Sequence, residues 1–286
     1  MSGPLLVVDG PFILYRSFFA LPQSIVGVDG HPVNALLGAT NLLLRVVEDR
    51  SPRAVVICFG AESAEYRVEA YPSYHADRPP VPDPLAWQFG AAPELFAAFG
   101  WPSESVDTLE ADDVMHSLAQ AETRSGGHTL ILSGDRDMYQ SASDSVTLLY
   151  LKMGGSGVQP VDPAEVENRY GIAPALVPDF IALRGDPSDG LPGAPGIGAK
   201  TAAELLLRHG SLDAAIEGAD RERPRIAAIL RDNSAELRTF RDIATLRSIE
   251  VDRPADRATD LVSGAEAARR HGMRKLAERL GSGDGD

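Results

Sequence analysis

Leu5-Leu6-Val7-Val8-Asp9-Gly10 is a short apolar run, partly β-branched, that stops at an acid and a glycine. Such a run reads as a buried strand followed by a turn. Outward from it, residues 34–49 place Leu36, Leu37, Leu43, Leu44 and Val47 at helical spacing, with Pro52 beyond them. Ala54 to Phe59 gives a second buried strand ending at Gly60, and Thr129 to Leu132 a third, ending Ser133-Gly134-Asp135. Strand, helix, strand, helix, strand predicts an α/β fold with a mainly parallel central sheet flanked by helices. Sites in such sheets lie at the carboxyl ends of the strands, where Asp9 and Asp135 fall.

Residues 70–102 change character. Seven prolines (72, 79, 80, 82, 84, 93 and 102) interrupt two tyrosines and two tryptophans. This composition predicts a mobile surface insertion with only short helical pieces. Glu110-Ala111-Asp112-Asp113 then opens a helix whose apolar positions Val114, Met115, Leu118 and Ala119 face the core, with Gly126-Gly127 at its end. From about residue 162 the pattern is helical, and residues 281–286 read as a disordered tail.

The chain has 286 residues, with 27 basic and 41 acidic side chains and a net charge of −14. One cysteine, Cys58, excludes an internal disulfide framework and is expected in the core. No apolar run approaches a membrane span, which together with the early charges at Asp9 and Arg16 predicts a cytoplasmic protein. An excess of acid opposes binding to nucleic-acid phosphates unless the acids are gathered at a metal site.

They come in sets: Glu110/Asp112/Asp113, Asp135/Asp137 and Asp186/Asp189, beside the single Asp9. Carboxylates so close repel one another and call for cations. Taken singly, an acidic pair at a helix start is an N-cap or a dipole partner, and Asp135 a turn residue. Taken together they point to Mg²⁺ or Mn²⁺, since hard oxygen donors suit these ions and no Cys/His cluster competes. Two such ions about 4 Å apart clamp a phosphodiester, one activating water and the other steadying the leaving oxygen. His31, His116, His128, His209 and His271 have no metal spacing.

A second motif lies at Pro195-Gly196-Ile197-Gly198-Ala199-Lys200-Thr201-Ala202, a glycine turn opening an apolar helix. Gly196 and Gly198 allow close backbone approach, free N–H groups at the helix start can hold a phosphate, and Lys200 adds a charged contact. It is not a P-loop, because Ala194 and Ala199 stand at that motif's glycine positions and no strand precedes it. A plain helical packing turn is the other reading. The pattern is a helix-hairpin-helix signature for DNA-backbone binding without base reading.

Together the motifs resemble the bacterial 5′-nuclease family, the flap endonuclease-like 5′→3′ exonucleases related to the N-terminal domain of DNA polymerase I. The resemblance runs over residues 5–210. It includes V-D-G with Arg16 and A-L-P, Y-P-x-Y-x-A-x-R at 71–78, E-A-D-D at 110–113, S-G-D-R-D at 133–137 and the segment 185–202. It implies a catalytic α/β domain over 1–165 with a helical arch at about 67–100, and a helical DNA-binding region over 166–280 with the hairpin at 190–207. Asp9, Glu110 and Asp112 would surround one Mg²⁺ or Mn²⁺ with Asp113 close by. Asp135 would lie between metals, and Asp137, Asp186 and Asp189 would serve the second. Asp9, Asp112, Asp135 and Arg78 would carry the catalysis. Arg16, Arg67, Arg78 and His75 would approach phosphates, Tyr74 would stack on a base, and Gly196, Gly198, Lys200 and Thr201 would grip duplex, with K⁺ held by backbone carbonyls.

By the same resemblance the substrate is DNA with 5′ flaps, nicks or free 5′ ends, cut by a stand-alone monomer working alongside DNA polymerase and ligase. Two departures stand out. The family's F-D-A at the second strand end is Phe59-Gly60-Ala61 here, so one metal-associated acid is missing, and a phosphate-contacting lysine is His75. These predict a weakened or Mn²⁺-favouring enzyme, with Glu62 or Glu65 as substitute acids. A branched-DNA-binding protein that has lost cutting, and a PIN-type ribonuclease, are the alternatives.

Overall fold

The computed structural model describes residues 3–152 and 157–282. In chain order, β1 (Leu5–Asp9) leads directly into α1 (Gly10–Ala20), followed by α2 (Asn34–Arg50), β2 (Ala54–Gly60), α3 (Glu65–Ala70) and α4 (Asp83–Ala98). Next come β3 (Ser103–Val106), α5 (Ala111–Arg124), β4 (Thr129–Ser133), β5 (Val146–Tyr150) and β6 (Gln159–Val161). The remainder is helical: α6 (Pro163–Tyr170), α7 (Val177–Arg184), α8 (Ala199–His209), α9 (Leu212–Glu217), α10 (Pro224–Asp232), α11 (Ser234–Ala244), α12 (Leu261–Arg270) and α13 (Arg274–Ser282).

The sheet order is β3-β2-β1-β4-β5-β6, parallel throughout except for antiparallel β6. From β1 the chain builds outward first on one side, through β2 and β3, and then on the other, through β4. That reversal leaves a crevice at the carboxyl ends of β1 and β4. Alternate side chains of β1 enter opposite layers. Leu5 and Val7 belong to the core layer that also takes in α5, α7, α8 and α11, whereas Leu6 and Val8 belong to the layer of α1, α2, α4, α12 and α13. Buried on both faces, the strands need no polar alternation, which is why they were visible as plain apolar runs.

The proline-rich insertion differs from expectation. Residues 83–98 form a 16-residue helix that buries Leu85, Ala92, Leu95 and Phe96 against the second layer, with Trp101 buried after it. The prolines before it crowd at the helix entrance, where a missing N–H costs little, and only Pro93 falls inside. Gln88 of this helix is buried, and its Oε1 accepts from Ala35 N and Leu36 N at 2.7 and 3.2 Å. It thereby caps α2, which has no capping side chain of its own. At the other end of the chain, Gly281 and Ser282 belong to α13, and residues 283–286 of the expected tail lie outside the described residues.

Between α11 and α12, residues 246–260 run without helix or strand back across the first layer. Arg247 N donates to Asp113 Oδ1 (2.8 Å), Ile249 N to Ser117 Oγ (3.0 Å) and Arg257 N to the Arg53 carbonyl (2.9 Å).

Candidate active site

A cavity of about 1370 Å³ opens over the carboxyl ends of the strands. Asp9, Glu62, Glu110, Asp112, Asp135, Asp137, Asp186 and Asp189 line it, facing Arg67, Arg78, Arg136, Arg184 and His75. Each acid arrives on a different local device. Asp9 ends β1 and caps α1, accepting from Phe12 N (2.9 Å) and from Ser133 Oγ (2.7 Å). Glu110 is the residue before α5, so Asp112 projects from that helix's first turn. Asp135 follows β4 and accepts from Asp137 N at 2.8 Å, turning the chain into the 3₁₀ turn Asp137–Ser141. Asp186 and Asp189 belong to a tight loop after α7, closed by reciprocal backbone bonds between Asp186 and Leu191, both 2.8 Å.

The electrostatics are those of crowded anions. Burial raises the carboxyl of Asp9, and burial with the charges of Asp135 and Asp9 raises Asp112 well above the usual range. Asp135 is pushed up to about 7 by burial and by Asp189, and Asp137 is raised by burial and by Asp135. Asp189 goes the other way: burial opposes its charge, but the His75 hydrogen bond and the charges of His75 and Arg78 outweigh it. Among the described residues, no three carboxylates, imidazoles or thiols close around a common point tightly enough to ligate one ion as they stand. Asp9, Glu110, Asp135, Asp186 and Asp189 are held by protein donors instead, and mutual repulsion favours that spreading. The donor set is nonetheless all oxygen apart from His75, and its negative charge is only partly matched by arginine, which suits a hard divalent cation.

Several expected site residues are placed elsewhere or differently. Asp113 does not line the cavity: it is fully buried behind α5, where Arg67 Nη2 reaches it at 2.9 Å. Arg67 is itself only 3% exposed and spans Asp113 and Glu110 (3.1 Å), so it is a structural cation and not a free phosphate contact. Tyr74 is buried, donates to Glu110 Oε2 (3.0 Å) and is stacked on His75, leaving no ring face for a base. His75, at φ +56°, is buried between Ser63 Oγ (2.9 Å) and Asp189 Oδ1 (3.1 Å). Only Arg78 of this set stays partly exposed, 3.1 Å from Asp189. Arg16 lies on α1 outside the cavity lining. Glu65 is also outside it, whereas Glu62 is an exposed member.

Gly60 explains its own identity. A Cβ there would lie 2.4 Å from Leu109 O, 2.7 Å from Ala111 N and 2.7 Å from Glu110 C. The backbone that launches α5 occupies the space an aspartate would need.

Two cavity cations were missed in the sequence. Arg136 stands inside the S-G-D-R-D phrase, and Arg184 directly precedes the Gly185-Asp186 loop and reaches Asp186 Oδ2 at 3.2 Å. Adjacency to the acids was the available signal. Away from the acids the cavity wall is aromatic, with Phe89 of α4 meeting Tyr15 of α1 edge-on at 5.6 Å and Phe19 further along.

The glycine turn lies outside this cavity. Gly196 adopts φ +76°, which requires glycine, whereas Gly198 has ordinary φ and open space around it. Gly198 precedes α8 with no side-chain cap, and Lys200 is 91% exposed. Thr201 is half-buried in the same first turn. Arg225 of α10 reaches within 3.0 Å of a Cβ built on Gly196, a second cation at this turn that the sequence motif did not announce.

Acids gathered where a parallel sheet reverses its strand order, bounded by arginines, define the class: a phosphate-directed site suited to hard divalent cations. Residues 4–171 match the family model of the 5′-3′ exonuclease N-terminal resolvase-like domain, and residues 172–262 match that of the 5′-3′ exonuclease C-terminal SAM fold. The chain belongs to the 5′-3′ exonuclease family. It is 38% identical to a 5′-3′ exonuclease of Mycobacterium tuberculosis over 98% of this chain and 97% of the relative. It is 37% identical to the DNA polymerase I of Mycobacterium bovis over 85% of this chain, spanning 27% of the polymerase's length. Its fold is that of T5 5′-exonuclease with bound divalent metal ions (zinc), at TM-score 0.70 and 16% identity over 97% of both chains. The catalytic core of Rad2 in complex with DNA substrate superposes at TM-score 0.63 and 14% identity, over 98% of this chain and 93% of that one. Among the described residues no helix is long and apolar enough to cross a membrane.

Proposed function

We propose that this protein is a divalent-metal-dependent, structure-specific nuclease that hydrolyses DNA phosphodiesters as a 5′-flap endonuclease and 5′→3′ exonuclease. The observation that carries the reading is the convergence of Asp9, Glu110, Asp112, Asp135, Asp137, Asp186 and Asp189 on one cavity in a chain of this family. Asp9, Glu110 and Asp112 would hold one Mg²⁺ or Mn²⁺, Asp137, Asp186 and Asp189 a second, with Asp135 between them. Such ions supply an activated water and neutralise charge on the scissile phosphate. The chain's own part is positional. Ser133 and the α1 amides orient Asp9, His75 and Arg78 orient Asp189, and Arg78, Arg136 and Arg184 give the phosphate a cationic surround. An unpaired base has its open aromatic surface at Tyr15, Phe19 and Phe89, not at Tyr74. Gly196, Gly198, Lys200 and Thr201 would hold the backbone of a duplex, with K⁺ among the carbonyls of that turn. Flap removal in replication and repair leaves ends on which a polymerase and a ligase then act.

The test is cleavage of a 5′-labelled flap duplex with Mg²⁺ and Mn²⁺ supplied separately and Asp135→Asn as control. Cutting near the single-strand junction that vanishes in the variant supports the reading, and faster cutting with Mn²⁺ fits the acid missing at Gly60. Tight binding without cutting in either metal assigns the chain to branched-DNA binding instead. Preference for a matched RNA flap assigns it to a ribonuclease.

A further inference from the structure

Gln140 sits half-buried in the 3₁₀ turn Asp137–Ser141 and does not line the cavity. Its side-chain amide is nevertheless fully engaged. Nε2 donates to the carbonyls of Ala244 (2.8 Å) and Asp137 (2.9 Å), and Oε1 accepts from Leu246 N (2.9 Å). Glutamine gives up more rotamer freedom than most side chains when it is held, so three simultaneous bonds mark a fixed position.

Ala244 ends α11, where the last carbonyls of a helix need outside donors. The segment 243–247 that Gln140 grips is fastened from a second direction as well. Arg67 Nε donates to the Ile243 carbonyl (3.0 Å), and the same guanidinium holds Glu110 (3.1 Å) and Asp113 (2.9 Å). Arg247 N donates to Asp113 Oδ1 (2.8 Å). One short segment is thus tied on one side to the start of α5, which carries Glu110 and Asp112, and on the other to the turn that carries Asp137. Its residues Ile243, Ala244 and Leu246 form part of the cavity wall between them. The two acid-bearing elements also meet directly, through His116 Nδ1 and Ser141 Oγ at 2.8 Å, but at the end of the turn away from Asp137.

We propose that Gln140 is a positioning residue: by clipping the Asp137 turn to residues 244–246, it sets how far the acids of one metal site stand from those of the other. The inference rests on the two-ion reading above. A plain cap on α11 would stabilise that helix and do nothing more. A clip between acid sets has a different signature. Partners behind metal ligands typically contribute about 10- to 100-fold in metal affinity or activity, and about 1 Å of misplacement can cost about a hundredfold in rate.

The experiment uses the full chain. Mn²⁺ binding without DNA is followed by the EPR signal of the free ion, and flap-DNA cleavage gives kcat and KM. Gln140→Met keeps an unbranched side chain of similar length and removes all three hydrogen bonds. It should weaken one of two bound Mn²⁺ ions by about 10- to 100-fold and leave the other unchanged. At fixed Mn²⁺, kcat should fall with KM for DNA unaltered, and it should recover as Mn²⁺ is raised, which a folding defect would not do. Gln140→Asn keeps the amide but is too short to reach both sides, so it should show the same selective loss. It decides the matter if Gln140→Met melts below the assay temperature. Ser117→Ala is the structural control: Ser117 Oγ accepts Ile249 N (3.0 Å) from the same crossing segment, so this variant should melt lower yet bind Mn²⁺ as the parent does.

Unchanged Mn²⁺ binding in a folded Gln140 variant would overturn the inference. Equal weakening of both ions, or the same loss in Ser117→Ala, would also overturn it, because general loosening would then be the cause. A parent that binds a single Mn²⁺ yet cuts flap DNA would overturn it and leave the nuclease reading intact. Selective Mn²⁺ loss in a protein that cuts no DNA would keep the inference and sink the nuclease reading. A parent that binds no Mn²⁺ would overturn both.

Discussion

Arg67 is locked onto Asp113 at 2.9 Å, with both side chains almost completely withdrawn from solvent. The pair ties α3 to α5, and the same Asp113 carboxylate also accepts Arg247 N from the segment that crosses the first layer. Removing one partner of a buried pair leaves the other charge uncompensated, typically at a cost of about 3–5 kcal/mol. Arg67→Ala should therefore lower unfolding free energy by that order in denaturant titrations. It should leave the salt slope of DNA binding in the folded protein unchanged. Unaltered stability with a slope reduced by about one unit would return Arg67 to the phosphate contacts.

Gly60→Asp restores the acid that the family resemblance expects, yet the backbone of Leu109 to Ala111 stands where its Cβ must go. Overpacking against main chain costs about 1–3 kcal/mol and here displaces the segment that carries Glu110 and Asp112. The variant should melt at lower temperature and cut no faster in Mg²⁺ than the parent. A more stable, faster variant would mean that α5 shifts easily and that the glycine is a plain loss.

The parallel sheet and its acids were legible because they depend on local features: unbroken apolar runs, and acids directly after them. Asp9 and Asp135 needed no more than strand ends. Burial of neighbouring polar groups was not legible, because partnerships such as Arg67 with Asp113 or Tyr74 with Glu110 join residues far apart in the chain. Asp112 and Asp113 are adjacent, and only the rotation of α5 decides that one faces the cavity and the other the core. Helix α4 was obscured by its prolines, whose meaning changes once they are seen at its entrance. Short strands such as β3 and β6 carry too few residues to show a period.

At the glycine turn, Lys200 and Arg225 approach from different helices, α8 and α10. If both contact phosphate, Lys200→Ala and Arg225→Ala should each lower the salt slope of duplex binding by about 0.9, and the double variant by about twice that. Binding isotherms on a plain duplex at several salt concentrations measure this. A slope that moves for Lys200 alone would leave Arg225 as a brace for Gly196.

Glu122 gives the pH dependence of folding a defined sign. Its carboxylate is buried, yet the hydrogen bonds and charges of Arg53 and Arg253 overcome desolvation and hold it below the ordinary glutamate value of 4.5. A folded-state value below the unfolded one contributes stability above the unfolded value and loses it as pH falls through the lowered one. Arg53 also donates to the Pro254 carbonyl and Asp256, both at 2.7 Å, so the network also anchors the segment leading to α12. Glu122→Gln should be clearly less stable than the parent at about pH 6, and the gap should narrow towards about pH 3 as the parent's carboxylate is protonated. Other acids titrate in both proteins, so the difference between their stability curves isolates this group. A gap that stayed constant across that range would mean that packing of the side chain, and not its charge, holds the crossing segment in place.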